Sequence, residues 1–300
     1  MPEMIKISSL TKDYGEGHGI FNFNFSIQQG EVYGLVGTNG SGKSTTFRHL
    51  MGFISPDSGY CRIKGLDCRS RSDKIMKMVG YVPGQIDFPD VGSGTDFLKI
   101  QAQYLGVKNM KYTEELIDRF KIDTSAPLKR MSKGMKQKMA LVAAFMSEPE
   151  VLLLDEPSTG LDPVMRDALI ELILEQKKRG ATVFISSHIF KELEDTCDKV
   201  TFIHNGKIIN TVSKEMHSPE LPKLYRLGFA DESQYCEFID KTQFFIECQN
   251  DRYKHLTASV PNKKVNEFIR QLAGYNMRYI RYVPYTLEMY YKKVIENGGL

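Results

Sequence analysis

The sequence predicts an α/β protein with a mostly parallel sheet, followed by a small α+β domain. "EVYGLVG", residues 31–37, is typical of a buried strand, and it runs through a glycine-rich loop into the helical stretch "KSTTFRHLMGF", residues 43–53. Helix, strand, helix and strand then alternate in "KMALVAAFM", "VLLLDEP", "DALIELILEQKKRG" and "ATVFISSH", which is the pattern of parallel βαβ units. Beyond about Val212 the composition changes, because nine of the fifteen tyrosines follow that residue.

Residues 1–36 predict strands that are buried on one face. "FNFNFSI", residues 21–27, alternates apolar and polar residues in the manner of a half-buried strand, and Ile5 and Ile7 begin an earlier one. Later, "KVTFIHNGKII" predicts a hairpin that turns at Asn205 and Gly206, because both positions of such a tight turn need positive φ angles.

We expect two domains, residues 1–215 and 216–300. A helical insertion of about residues 86–135 interrupts the first, since "GTDFLKIQAQYLGV" and "TEELIDRFKI" space their apolar residues at helical intervals. In the second domain, "LYRLGF", "QFFIECQ", "HLTASV" and "MRYIRYV" predict strands around two helices, "ESQYCEFIDK" and "KKVNEFIRQLAG". A last helix is expected from about Thr286 to Asn297, with Gly298 as its stop.

Composition narrows the class of protein. Forty Lys and Arg against 37 Asp and Glu give a net charge of +3, which is too even for polyanion binding by bulk charge. The five cysteines form no C-x-x-C pair, and no N-terminal apolar run precedes a cleavage site, so a reducing cytosolic setting is expected. The longest apolar runs fall far short of the roughly 18 residues of a membrane span. If the protein works at a membrane, another chain supplies the span.

The loop "GTNGSGKST" fits the phosphate-binding pattern G-x-x-x-x-G-K-[ST]. Its glycines let backbone N–H groups converge on phosphate oxygens, and the positive end of the following helix adds to the attraction. Lys43 would reach the β- and γ-phosphates, while the Ser44 hydroxyl would bind magnesium. A glycine-rich turn can match by chance, but the flanking strand and helix favour a nucleotide site. The predicted contacts are Gly37, Thr38, Asn39, Gly40, Ser41, Gly42, Lys43, Ser44 and Thr45.

Two acids follow the strand "VLLL". They fall at its carboxyl end, where open α/β sheets present their ligands. Asp155 can hold magnesium through water, and Glu156 can act as general base toward the attacking water. Adjacent acids at a strand end also occur in ordinary solvated turns. Together with the phosphate loop, however, this pair predicts a catalytic site.

A third strand, "FISSH", carries His188 to the same sheet edge. A lone histidine is more often structural than catalytic. At the end of this strand, though, the imidazole can donate a hydrogen bond to the γ-phosphate, so His188 is a further catalytic candidate beside Lys43 and Glu156.

The stretch "MSKGMKQKMALVAAF" resembles the signature of ATP-binding cassette (ABC) proteins, usually written LSGGQ, and "STGLDP" resembles the D-loop of that family. The resemblance covers about residues 3–215, with the motifs in family order and at family spacing. It implies an α/β fold of the P-loop NTPase type, namely an ABC ATPase core with an antiparallel β subdomain and a helical subdomain. It also implies that the protein is an ATPase that binds ATP together with Mg²⁺.

In ABC proteins two subunits meet head to tail, and the resemblance implies either a homodimer or a heterodimer here. Ser132 and Gly134 would then contact the γ-phosphate held by the other subunit, at the positive end of a helix. Tyr14 lies where the family places an aromatic residue that stacks on adenine. A surface aromatic in a glycine-rich loop is the alternative for Tyr14.

The sequence departs from the family pattern at two places. In the signature, Lys133 replaces a glycine and Met135 replaces a glutamine, while the serine and the second glycine remain. In "YVPGQIDFPD", the coupling glutamine that normally follows the proline is replaced by Gly84, and Gln85 comes next. Gln85 is therefore a candidate for contacting both the nucleotide and magnesium, in a position shifted by one residue.

Within the family, the chain resembles the ATPase subunits of bacterial drug and antibiotic-peptide exporters. This implies a peripheral protein on the cytoplasmic face of the membrane, with a separate transmembrane permease subunit docked near "IDFPDVGSGTDFL". Phe88, Phe97 and Leu98 are candidates for that contact, although core packing explains each at least as well.

A soluble ABC ATPase that acts on ribosomes or nucleic acid is the alternative function. Such proteins typically carry two cassettes or a long coiled-coil insertion, and neither is present, so no nucleic acid is expected as a partner. The alternation of arginine and tyrosine in "MRYIRYVPY" is compatible with nucleic-acid binding, but it also suits an edge strand. A small-molecule kinase would leave the signature and D-loop unexplained.

Overall fold

The computed structural model describes residues 2–213, 222–284 and 286–296. They form two compact units, whose described parts are residues 2–213 in the first and residues 222–284 and 286–296 in the second. The first unit has two sheets and the second has one, and each unit has its own apolar core, so we treat them separately. Among the described residues, no helix has the length and apolar character needed to cross a membrane.

The strands of the first unit are distributed over its sequence from Glu3 to Ser213. They are β1 (Glu3–Asp13), β2 (Gly19–Gln28), β3 (Val32–Gly37), β4 (Ser58–Ile63), β5 (Leu66–Asp67), β6 (Val79–Val82), β7 (Val151–Asp155), β8 (Thr182–Ser186), β9 (Lys199–His204) and β10 (Lys207–Ser213). Its helices are α1 (Lys43–Leu50), α2 (Ser72–Met78), α3 (Gly94–Leu105), α4 (Lys111–Phe120), α5 (Lys133–Phe145), α6 (Pro163–Lys178) and α7 (Phe190–Thr196).

A six-stranded sheet forms the centre of this unit, in the order β10-β9-β3-β8-β7-β6. The five strands β6, β7, β8, β3 and β9 are parallel, and β10 pairs antiparallel with β9. Every residue of β3, β7 and β8 is buried, as expected for central parallel strands covered on both faces. Because these three strands are neighbours, their carboxyl ends lie side by side at one edge.

A four-stranded antiparallel sheet, β2-β1-β4-β5, packs beside the central sheet. In β2, Phe23 and Ile27 are buried while Asn22 and Asn24 are exposed, as the alternation predicted. Phe47 of α1 stacks on Phe184 of β8, with ring centroids 4.6 Å apart, and this pair joins the core of both sheets. The predicted antiparallel subdomain is therefore confirmed.

Helices α3 and α4 and the start of α5 fall in the segment where a helical insertion was predicted. Ser93 caps α3 in a capping box, since its hydroxyl accepts from the Asp96 N–H and the Asp96 side chain accepts from the Ser93 N–H. At the other end, Gly106 adopts a left-handed conformation with φ 72° and closes the helix.

Two turns show how local chemistry sets the boundaries of elements. The predicted hairpin between β9 and β10 is confirmed, with φ angles of 46° at Asn205 and 70° at Gly206. Helix α1 ends at Leu50, three residues before the predicted Phe53. The reason is Gly52, whose φ of 71° takes the chain out of the helix.

The second unit has a β-α-β-β-α-β order followed by a helix. Its elements are β11 (Lys223–Phe229), α8 (Glu232–Lys241), β12 (Phe245–Asn250), β13 (His255–Val260), α9 (Val265–Leu272), β14 (Met277–Val283) and α10 (Leu287–Glu296). The strands form one antiparallel sheet in the order β12-β13-β11-β14, and Phe229, Phe238 and Phe268 belong to its core. The expected stop at Gly298 lies outside the described residues.

Candidate functional site

The loop between β3 and α1 ends at the start of a helix, where the first backbone N–H groups have no acceptor within the helix. Gly40 and Gly42 have φ angles of 80° and 105°, so they turn the chain in a way that other residues rarely adopt. The first turn of α1, all of which is described, carries no acidic side chain, and no side chain caps its N–H groups. The helix therefore begins with free donors and a partial positive charge, which favours an anion.

The ammonium of Lys43 is held at this loop. Its Nζ donates to the carbonyl oxygens of Gly37 at 2.8 Å and Thr38 at 3.3 Å, and it lies 3.3 Å from Oε1 of Glu156. The side chain is only 6% exposed, so little water screens its charge. An anion that enters here meets a positive group that is already in place.

Asp155 and Glu156 follow β7 directly. Asp155 is buried, and its Oδ1 accepts a hydrogen bond of 2.6 Å from the Ser186 hydroxyl. Glu156 has a φ of 51°, which is a strained conformation for a residue with a side chain. Its N–H donates to the carbonyl oxygen of Ser186 at 3.1 Å and to the hydroxyl oxygen at 3.0 Å. Ser186 therefore holds both acids at the end of the neighbouring strand.

His188 lies two residues beyond the end of β8 and contacts Glu156. Its Nδ1 donates to Oε2 of that carboxylate over 2.5 Å, and the histidine side chain is 57% exposed while that of Glu156 is 16% exposed. The two predicted catalytic side chains are thus in direct contact with each other. Glu156 is the more buried of the two and His188 the more exposed.

These groups open into a cavity of about 640 Å³. Among its lining residues are predicted ones from five separate segments: Tyr14, Asn39, Gly40, Gly42, Lys43, Ser44, Thr45, Gln85, Asp155, Glu156 and His188. Three predicted loop residues, Gly37, Thr38 and Ser41, lie outside this lining, as do Ser132 and Gly134. Sequence reasoning missed His18, Gly19, Arg48, Tyr81, Pro83, Gly84 and Thr159, which also line the cavity.

Two of the lining aromatic residues differ in character. Tyr14 is 55% exposed, and its loop is closed by a hydrogen bond from the Tyr14 N–H to the His18 carbonyl at 2.8 Å. The Lys12 Nζ lies 5.9 Å from the centroid of its ring, and the exposure of the ring leaves room for contact with a flat ligand. Tyr81 is half-buried, and burial together with the Asp155 carboxylate raises the pKa of its phenol well above the usual range. Tyr81 consequently stays neutral in this site.

The oxygen atoms beside Gly84 suit a small hard cation. A Cβ atom at Gly84 would lie 2.7 Å from Oδ2 of Asp155 and 3.5 Å from the hydroxyl oxygen of Ser44. A carboxylate and a hydroxyl therefore flank a space that only a residue without a side chain leaves open. These are ligand types that magnesium prefers, so the site fits the ion. The exposed Gln85 side chain follows at the cavity wall.

The signature segment forms a second region, next to the D-loop of the same chain. Ser132 caps α5 by accepting from the Met135 N–H at 3.3 Å. Gln137 is buried, and its Nε2 donates to the Pro157 carbonyl oxygen at 2.8 Å. A Cβ atom at Gly134 would lie only 2.9 Å from the Gly160 carbonyl oxygen. The signature helix therefore rests on the residues that directly follow Glu156.

Comparison with known proteins agrees with these observations. A family model described as "ABC transporter" matches residues 20–159. The chain is 34% identical over 310 residues to a bacitracin transport ATP-binding protein of Bacillus licheniformis, with 100% of both chains covered. It is 36% identical over 208 residues to a lantibiotic transport ATP-binding protein of Streptococcus pyogenes, covering 69% of this chain and 89% of that protein.

Solved structures show the same relationship. The structure of an ATP-binding subunit of an ABC transporter is 30% identical, with a TM-score of 0.65 over 70% of this chain and 90% of that chain. A dimeric bacterial ABC transporter cassette, 20% identical, shares the fold with a TM-score of 0.63 over 70% of this chain and 99% of that one. Motifs, fold and relatives agree, and the chain therefore belongs to the ABC transporter family as an ATP-binding and ATP-hydrolysing subunit.

Proposed function

We propose that the chain hydrolyses magnesium ATP in this cavity as one of a pair of ABC subunits, and that the pair drives export through a separate transmembrane subunit. The observation that carries the proposal is the meeting of Lys43, Glu156 and His188 beside the uncapped start of α1. The similar proteins are named for bacitracin and lantibiotic transport. This supports a cargo of antibiotic-peptide type and a peripheral place on the cytoplasmic face of the membrane.

Phosphate binding uses the loop and Lys43. The Lys43 ammonium now lies against two carbonyl oxygens and Glu156, and the oxygens of the β- and γ-phosphates would take over these contacts. Such charge-assisted hydrogen bonds are stronger than those to a neutral carbonyl. At the cavity wall, the Tyr14 ring would stack on adenine.

Hydrolysis uses Glu156 and His188. The Glu156 carboxylate would accept the proton of the attacking water, while His188 would donate a hydrogen bond to the γ-phosphate. Because these side chains now contact each other, the terminal phosphate and its water would have to part them. Magnesium, held by Ser44 and Asp155 with Gln85 near them, would supply positive charge that stabilises the phosphate oxygens.

A second subunit would complete the site. Ser132 and Gly134 do not line the cavity of their own chain, although they form the start of a helix that favours an anion. We propose that they contact the γ-phosphate held by the other subunit, in a homodimer or a heterodimer. The D-loop, which contacts the signature helix, would then lie near the same interface.

The permease subunit would dock in a groove beside the ATP cavity. This groove, of about 280 Å³, contains Phe88 and Phe97, whose ring centroids are 4.8 Å apart. Leu98 was the third candidate for this contact. It is 2% exposed and belongs to the core, so it is not available for docking. Tyr81 and Pro83 line both the groove and the ATP cavity, which gives the permease a direct route to the site.

The Glu156→Gln variant tests the site. We expect purified protein with this substitution to bind ATP and to accumulate as a dimer, because the side chain keeps its shape but no longer accepts a proton. Hydrolysis should fall at least a hundredfold, which is a typical contribution of a general base. Glu171→Gln, an exposed position on α6, is the matched control and should hydrolyse ATP normally. Full turnover by Glu156→Gln would remove Glu156 from this role.

Co-purification tests the partner. Tagged protein from detergent extracts should carry an integral membrane protein, and the substitution Phe88→Asp should release it without lowering ATP binding. If ribosomal RNA is recovered in place of a membrane protein, the soluble alternative is correct.

A further inference from the structure

Glu192 is a buried acid that the proposed mechanism does not use. It lies on α7 and is 1% exposed. Its Oε2 accepts hydrogen bonds from the hydroxyls of Ser158 at 2.9 Å and Ser187 at 2.5 Å. No described residue donates to its other oxygen, Oε1. A buried carboxyl is costly unless it is well paired, and the two serine hydroxyls supply partners for only one of its oxygens.

The two serines belong to the two loops that carry the site. Ser158 is the second residue after Glu156 and begins the D-loop, whereas Ser187 directly precedes His188. Both serines are buried, so their hydroxyls are directed away from the solvent and toward the same carboxyl oxygen. Glu192 therefore joins the loop of the proposed base to the loop of the proposed phosphate contact.

This link closes a ring of contacts around the site. Glu156 and His188 touch directly on the cavity side. Behind them, the chain continues to Ser158 and Ser187, and Glu192 connects these two. The front contact has to open when phosphate and water enter, because both side chains are needed for them. The rear contact does not face the cavity, since Glu192 is absent from its lining, and it can persist.

The electrostatics agree with a bridging role. Burial raises the pKa of Glu192, and the nearby Glu156 charge raises it further, while the two serine hydroxyls lower it. The function of the side chain as an acceptor needs an oxygen atom and not a full charge. A glutamine in its place can still accept from both hydroxyls through its carbonyl oxygen, whereas an alanine leaves them unpaired.

We propose that Glu192 is a positioning residue that holds the D-loop and the His188 loop together, so that movement of one reaches the other during turnover. The inference rests on the proposed roles of Glu156 and His188. It adds a specific link: a change at the D-loop, which would lie near the second subunit, is passed through Ser158, Glu192 and Ser187 to His188.

Steady-state kinetics on the full chain test this link. We expect Glu192→Ala to lower kcat for ATP about tenfold or more while KM stays within about twofold, because misplaced catalytic groups affect the chemical step more than binding. Glu192→Gln should stay within about threefold of the unchanged protein, because it preserves the acceptor. Lys191→Ala, on the exposed side of the same helix, is the control and should behave normally. If Glu192→Gln is as impaired as Glu192→Ala, the bridging role is wrong.

The serines give a second test that does not depend on an alanine in place of a buried acid. Loss of either hydrogen bond to Glu192 breaks the connection between the two loops. The effects of Ser158→Ala and Ser187→Ala on kcat should therefore be non-additive, and the double variant should be no slower than the slower single variant. Multiplicative losses would show that the serines act independently, which contradicts the proposal.

A readout without turnover separates this inference from the proposed function. The chain has six histidines, and the imidazole signals of His188 can be assigned in NMR spectra by their loss in His188→Gln. In the nucleotide-free protein, Ser158→Ala should shift these signals, and the shift should vanish when Glu192→Ala is already present. If the His188 signals do not shift in Ser158→Ala, the link is wrong, even when the protein hydrolyses ATP. Lack of hydrolysis by the unchanged chain refutes the proposed function, and the spectra still decide the link.

Discussion

Lys43 and Glu156 form an ion pair across the cavity, with Nζ 3.3 Å from Oε1. The pair joins the phosphate loop after β3 to the acidic end of β7, two segments more than a hundred residues apart in the chain. Both side chains are mostly buried, so little water weakens the attraction between their opposite charges.

Lys43→Ala should weaken nucleotide binding most at the phosphates. We expect the affinity for ATP to fall about tenfold or more, because a buried charge-assisted contact is lost, while the affinity for adenosine stays unchanged. Titration with fluorescent ATP and adenosine analogues measures both. Lys108→Ala, at an exposed lysine, is the control. An equal loss for both ligands would place Lys43 outside the phosphate site.

Restoring the family's glutamine at residue 84 should impair the enzyme. A Cβ atom there would lie 2.7 Å from Oδ2 of Asp155, so even Gly84→Ala should displace this carboxylate and raise the magnesium concentration needed for half-maximal ATP hydrolysis. The magnesium dependence of hydrolysis is the measurement. Gly274→Ala is the control, since the nearest atom to its new Cβ would be 3.6 Å away. An unchanged magnesium requirement in Gly84→Ala would show that this space is not part of the metal site.

Loss of the Gln137 side chain should destabilise the protein. Its amide donates to the Pro157 carbonyl oxygen inside the molecule, and leaving that oxygen unpaired costs about 1–3 kcal/mol of unfolding free energy. We expect Gln137→Ala to lower the thermal unfolding midpoint by several degrees. Gln103→Ala, at an exposed position of α3, should not. Equal midpoints for the two variants would contradict the structural importance of this bond.

The buried His49 should make the protein less stable in acid. Burial lowers the pKa of His49, so the folded state binds the proton less tightly than the unfolded state does. Above the unfolded pKa of about 6.5, His49 is neutral in both states and the folded state keeps the full stability that a neutral His49 allows. This stability is lost as the pH falls through the lower folded pKa. Thermal midpoints between pH ~7.5 and ~5 should therefore fall less in His49→Gln than in the unchanged protein. His18→Gln, at an exposed histidine, should leave the slope unchanged.

Much of the site could be predicted from sequence because it is built at strand ends. Once β3, β7 and β8 are recognised as parallel neighbours, their carboxyl ends must meet, and the residues that follow them meet too. The glycines, Lys43, Asp155, Glu156 and His188 are all local to those ends, so their approximate place follows from chain order alone. The family resemblance rested on the same motifs, and the relatives confirm it.

Other features depend on side chains from segments far apart in the sequence. The bond from Gln137 to Pro157 and the bridge through Glu192 need the final packing of α5 and α7 on the loops, which no spacing reveals. Tyr81 of β6 lines the cavity as well, and no motif in the sequence points to it. The early end of α1 depended on one glycine conformation, which the apolar pattern does not encode.

The left-handed backbone of Glu156 means that this position is better suited to activity than to stability. A residue with a side chain gives up about 1 kcal/mol or more in such a conformation, whereas glycine adopts it freely. Variants selected only for heat resistance should therefore accumulate Glu156→Gly, and they should be inactive. Directed evolution of this cassette toward higher temperature therefore needs a concurrent screen for ATP turnover. Without it, selection will remove the Glu156 carboxylate.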